Sequence, residues 1–238
     1  MRVAVTISGH LRRFEEGHNE ICRFLLDPNP DCQFDFFVHT WDLLDWRTEE
    51  KFQKTTTVIN HFNDLYAPKN IVIQEAIEWN TDQFMKFVKN ERWVKKGYGG
   101  KRSRGEHIPS MFYKMFKSNQ LKCEYENLMG FKYDLEVRHR TDLSILKPIN
   151  LSALSNIEKT IYVPDCDQKA KDGGINLRDV FAIGTSGNMN YYNGVFPLMT
   201  RLVQQTQIFR PEVLLEQHLK NIEDIIVDDV TMGSWRVL

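Results

Sequence analysis

Tyr133-Asp134-Leu135-Glu136-Val137-Arg138-His139-Arg140-Thr141-Asp142 is the run from which the fold is read. Tyr133 to Arg138 alternates and carries a β-branched centre, which predicts a buried strand. The residues that follow turn abruptly charged. Two arginines and an aspartate (Arg138, Arg140, Asp142) gather at the end of a strand where unpaired charge is expensive. They form either an internal ion-pair network or a ligand site in which arginine neutralises a diphosphate and Asp142 binds a divalent metal or a sugar hydroxyl.

Working outward, the same grammar recurs twice upstream. Arg2 to Ile7 predicts a first strand and runs into Ser8-Gly9-His10-Leu11-Arg12. Phe34 to Val38 predicts a second, ending at His39-Thr40-Trp41-Asp42. Further short strands are expected at Ile71–Ile73, Ile161–Val163 and Val180–Ile183. Helical spacing is expected over Leu11–Leu26, from Phe52 to Tyr66, over Thr81–Val94, from an N-cap at Ser110 to Gly130, and from Pro211 onward. Strands alternating with helices predict one α/β domain, Rossmann-like, with a mostly parallel sheet covered on both faces.

In such sheets ligands bind beyond the carboxyl ends of the strands. Three polar strand endings therefore define a candidate site. Gly9 permits close backbone approach, and the helix start after it offers N–H donors to phosphate, with Arg12 as a clamp. Trp41 reads either as a tryptophan packed under a loop, the commoner case, or as a face for a base, with Asp42 an acceptor for ribose hydroxyls and His39 either a satisfied strand-end histidine or a ligand beside them. The glycine-rich basic loop Lys95 to Arg104 reads either as a phosphate lid or as a solvated loop.

Composition narrows the class. A net charge of −1 argues against a coat for nucleic acid or anionic membrane, and no apolar run reaches the roughly 20 residues that span a bilayer. Four scattered cysteines without a CxxC spacing predict free thiols and a cytoplasmic location.

SGHLR (Ser8 to Arg12), FDFFVHTWD (Phe34 to Asp42), YDLEVRHRTDL (Tyr133 to Leu143) and DVFAIGTSGNM (Asp179 to Met189) resemble a group of small bacterial and viral glycosyltransferase-like proteins of the GT-A type. The resemblance covers roughly Arg2 to Leu219. It implies a nucleoside-diphosphate sugar donor, a glycan or other hydroxyl acceptor, and a helix in which Ser110 and Lys114 face the nucleotide. It also implies an Asp-x-Asp motif holding manganese or magnesium, but here that position reads Arg140-Thr141-Asp142. A cation replaces the first carboxylate, so metal dependence is an open expectation, with Asp142 and His218 as candidate ligands. Two candidate bases stand out. Asp179 precedes the FAIG-like strand, where the resembling proteins place an acidic residue, and Glu212 lies in the first turn of the helix begun by Pro211, with Glu216 ranking third. A sugar nucleotidyltransferase and a nucleotide-sugar-binding protein without turnover are the alternative readings.

Overall fold

A computed structural model describes residues 1–44, 53–89, 105–145, 147–164 and 179–220, together with the backbone of two strands at 226–230 and 236–237. The charged loop at 95–104, the polar loop from Asp165 to Asn176 and Cys166 lie outside the described residues. Cys22, Cys32 and Cys123 are free thiols.

Strands β1 (Arg2–Gly9), β2 (Gln33–Trp41), β3 (Asn70–Gln74), β4 (Leu135–His139), β6 (Thr160–Pro164), β7 (Ala182–Gly184) and β8 (Ile226–Val230) form one sheet in the order β3-β2-β1-β4-β7-β6-β8. The pairings β1–β2, β1–β4, β2–β3 and β6–β8 are parallel, whereas β7 runs antiparallel to both β4 and β6. The expected α/β architecture with a mostly parallel sheet is present, with one reversed strand that periodicity alone does not reveal. A separate two-stranded ladder joins β5 (Leu143–Ser144) to β9 (Arg236–Val237).

Helices cover both faces. Val3, Val5 and Ile7 point to one face and pack with Ile21 of α1 (Phe14–Ile21) and Phe62 and Tyr66 of α2 (Ile59–Tyr66). Ala4 and Phe37 point to the other and meet Leu121 of the long helix α4 (His107–Met129) and Tyr133. Beyond a four-residue α3 (Asp82–Met85) and α4, helices α5 (Ser186–Tyr192), α6 (Met199–Thr206) and α7 (Pro211–Lys220) complete a second apolar cluster built around Phe112, Met189, Leu202 and Leu215. No helix among the described residues is long and apolar enough to cross a membrane.

Several boundaries differ from the sequence expectation. The helix expected over Leu11–Leu26 begins only at Phe14, because Arg13 takes a left-handed conformation (φ 52°), and it finishes as a π-turn over Cys22–Leu26. The α4 helix starts at His107, so Ser110 lies inside it rather than capping it. The helix expected over Thr81–Val94 is helical only at Asp82–Met85 within its described part. Helices α5 and α6 had no expectation; in α5, Ser-Gly-Asn-Met-Asn-Tyr-Tyr carries no apolar stripe wide enough to announce one, whereas α6 does bury Met199, Leu202 and Val203 on one face.

The centre of the sheet holds a buried ion pair. Lys122 of α4 and Glu136 of β4 are both fully buried, with Nζ donating to Oε2 at 2.7 Å. Lys122 also donates to Ser186 Oγ and Asn190 Oδ1, each at 2.8 Å, while Thr6 Oγ1 and Asn193 Nδ2 each donate to Glu136 Oε1 at 2.9 Å. Burial alone would lower the Lys122 pKa, but Glu136 beside it holds it above the ordinary value. Removing one partner of such a pair strands the other's charge, at a cost of about 3–5 kcal/mol. Lys122→Met should therefore lower the unfolding free energy by about that amount in urea titrations. A loss below about 1 kcal/mol would show that Glu136 finds another cation or a proton cheaply.

Candidate functional site

From β1 the chain moves outward to β2 and β3, then returns across β1 to lay down β4 on its other side. The order reverses between β1 and β4, and the crevice beyond their carboxyl ends is where an open α/β sheet receives its ligand. Ile7 pairs with His139, so the two strands finish abreast.

Gly9 ends β1 with φ 109°, a conformation that L side chains rarely adopt, and a Cβ built there would meet nothing within 4 Å. The backbone is thus open to a ligand at this point. Ser8 is buried within β1, opposite His39 of β2. His10 is held by its Nδ1 against the Leu43 carbonyl at 2.7 Å. Thr141 Oγ1 donates to the carbonyls of both His10 and Arg12 at 3.1 Å, tying the loop after β1 to the turn after β4. Helix α1 presses on the same turn, since a Cβ at Gly17 would stand 2.0 Å from the Thr141 carbonyl oxygen. Only glycine permits that approach.

This bracing positions the central feature. Asp142 is 2% exposed and lies between two arginines. Arg140 Nε donates to Oδ1 at 2.9 Å and Nη2 to Oδ2 at 2.8 Å, while Arg12 Nε donates to Oδ2 at 2.7 Å and its Nη2 pairs with the same oxygen. Burial alone would raise the Asp142 pKa, but Arg140 and then Arg12 overcome it and hold the carboxyl below the usual range. The Arg12 and Arg140 side chains as a whole are 14% and 23% exposed. Arg12 from the first strand ending and Arg140 from the third thus meet as a clasp on one carboxylate, and Arg138 is not part of it.

The reversed strand brings in the next residue. Arg138 pairs with Ala182 of antiparallel β7. Continuing that register sets Asp179 near the end of β4, where its charge acts on Arg138, Arg140 and His107. Arg138 itself is almost wholly enclosed, its Nε and Nη1 have no hydrogen-bond partner among the described residues, and burial lowers its pKa against the opposing pull of Tyr192 and Asp179. Glu212 Oε2 lies 3.7 Å from Arg210 Nε at the start of α7.

At the second strand ending the structure departs from the expectation. Trp41 is 3% exposed, with Tyr113 stacked beside it at 15° and Lys114 Nζ 3.4 Å over its ring centroid. Its indole supports the interior and is not presented to a base. Lys114, expected to face a nucleotide, turns inward and donates to the Thr40 carbonyl at 2.7 Å. Burial, opposed by Asp42, lowers its pKa to about 6. His39 is buried too, and burial with the nearby Lys114 and Lys117 lowers it to about 3. Asp42 pairs with Lys54, a residue that no sequence pattern picked out. Ser110 is half-buried one turn before Lys114.

His218 Nε2 is engaged by the Tyr191 carbonyl at 2.6 Å, as befits a structural histidine on α7. Asp142 has both oxygens committed to guanidinium groups, and no three His, Cys, Asp or Glu side chains gather among the described residues. As arranged, Asp142 and His218 do not fit a divalent cation. No family model and no curated protein matches the chain.

The buried lysine has a pH signature. Burial pushes its pKa down to about 6 from the ordinary lysine value of 10.5, so between those limits the unfolded chain binds the extra proton. Wild-type stability relative to Lys114→Met should rise with pH from 7 to 9, by up to about 1.4 kcal/mol per unit. Parallel curves from denaturant titrations at those pH values would show that Lys114 stays charged.

Proposed function

We propose that the chain is a GT-A-type glycosyltransferase that takes a nucleoside-diphosphate sugar and passes the sugar to a glycan or other hydroxyl acceptor. The observation that carries this reading is the pair of partly exposed arginines at the β1/β4 switch point, set beside the open backbone of Gly9. In transfer the bond from the anomeric carbon to the phosphate oxygen breaks, and charge develops on the leaving diphosphate. Arg12 and Arg140 are placed to stabilise that charge, which is worth most where donors are already oriented. Arg138, enclosed behind them, adds a third positive charge from the same strand end.

The acceptor hydroxyl needs a base, and Asp179 is the better candidate because it enters the arginine group while Glu212 pairs with Arg210. Arg140 stands where the resembling enzymes have a metal-binding carboxylate, so the guanidinium groups supply charge that a metal supplies there.

The test is a panel of nucleotide-sugars with the full chain. Release of nucleoside diphosphate supports transfer; pyrophosphate formed from a sugar phosphate and a nucleoside triphosphate would identify a nucleotidyltransferase, and binding without turnover a recognition module. Asp179→Asn should lower turnover by about a hundredfold or more with donor affinity near normal. Turnover should also persist in EDTA. Loss restored by manganese would show that Asp142 leaves the arginines for a metal.

A further inference from the structure

The clasp around Asp142 has the form of an anion site already filled from within. Two guanidinium groups direct four N–H contacts onto one carboxylate, in the side-on geometry by which arginine takes carboxylate or phosphate. Asp142 brings a negative charge against both guanidinium groups, so an incoming anion meets arginines that are already engaged. Asp142 is also tethered. Its turn is pinned by the Thr141 hydroxyl to the carbonyls of His10 and Arg12, and by the close approach of Gly17.

We propose that Asp142 is an internal competitor that sets the charge a ligand must bring, so that the site admits a diphosphate and turns away a single phosphate. This rests on the anion-binding part of the reading above and adds the substrate selection within it. A tethered carboxylate acts at a high effective concentration and pays no translational entropy to hold its place. A monophosphate, with about 1.5 to 2 charges at neutral pH, would displace it at little net gain. A diphosphate can engage Arg12 and Arg140 through separate phosphoryl groups, and the added charge offsets the loss of the internal contacts. Release of Asp142 then leaves its carboxylate free to accept from a sugar hydroxyl. The clasp thereby converts the arrival of the correct ligand into a second, polar contact.

Bare anions test this without any nucleotide, so its failure is separable from failure of sugar transfer. Calorimetry on the full chain should show inorganic pyrophosphate binding at least about a hundredfold tighter than inorganic phosphate, a gap of about 2.7 kcal/mol. Asp142→Asn keeps the shape and one acceptor oxygen but removes the charge. It should bind phosphate about tenfold more tightly than wild type and narrow the pyrophosphate preference. Weaker or unchanged binding of both anions by a folded variant would overturn the proposal, since Asp142 would then serve only to hold the arginines. If the variant fails to fold, carboxyl carbon NMR on the wild type decides the matter. Saturating pyrophosphate should shift the Asp142 carboxyl signal, and equal phosphate should not. An unmoved signal, or no pyrophosphate binding at all, overturns it.

Discussion

Lys122 and Glu136 face each other in the middle of the molecule with no access to water, and that pair constrains everything around it. An ion pair in such a place survives only if its remaining donors and acceptors are also satisfied. The chain meets this demand from four directions, with Thr6 of β1, Ser186 and Asn190 of α5 and Asn193 just after it. Glu126 extends the set by accepting from Ser186 Oγ at 2.6 Å and from the Tyr133 backbone N–H at 3.0 Å. A shift of α4 by one residue along the sheet would break most of these bonds together. The pair therefore fixes the register of the long helix against β1 and β4 more tightly than apolar contact could, since hydrophobic packing is non-directional.

That register has consequences at the carboxyl end of the sheet. The first turns of α4 lie over the end of β2, which places Lys114 on the Thr40 carbonyl and Tyr113 beside Trp41. This end of the sheet is tightly filled and apolar, and its lysine and histidine are pushed toward neutrality. At the β1/β4 junction the opposite holds. There Asp142 is held ionised by two guanidinium groups, Arg140 and Arg12. One sheet edge thus carries a sealed half and a charged half, and the charged half sits at the topological switch point.

The three strand endings were legible because a buried strand that stops in Arg-His-Arg-Thr-Asp or Ser-Gly-His-Leu-Arg changes character within two residues. Which partner each charge chooses was not legible. Arg12 and Asp142 are 130 residues apart, and nothing local signals that they meet. Trp41 looked available because sequence cannot show that Tyr113 and Lys114, 72 and 73 residues later, cover it. Asp179 was singled out by resemblance, and the physical reason for its position is the reversed direction of β7, which alternation of apolar residues cannot encode. Gly17 passed unnoticed inside a short helix, where glycine ordinarily costs about 1 kcal/mol. The Thr141 carbonyl against it supplies the missing reason. Helices α5 and α6 escaped for a related cause: their buried faces are set by tertiary partners.

The position of β1 between β2 and β4 also bears on how the protein comes into being on the ribosome. Val3 pairs with Leu135, so β1, an interior strand of the sheet, lacks its second neighbour until more than 130 further residues have been made. At 5–20 residues per second that interval is on the order of ten seconds, long against the microseconds in which a hairpin closes. Through it, Val3, Val5 and Ile7 present an open strand edge flanked by apolar side chains, the form that chaperones cover and aggregates recruit. The charged clasp, whose members flank that same junction, can close only after the junction does. A nascent chain stalled before residue 135 would hold an unfinished sheet without the Arg12–Asp142–Arg140 clasp.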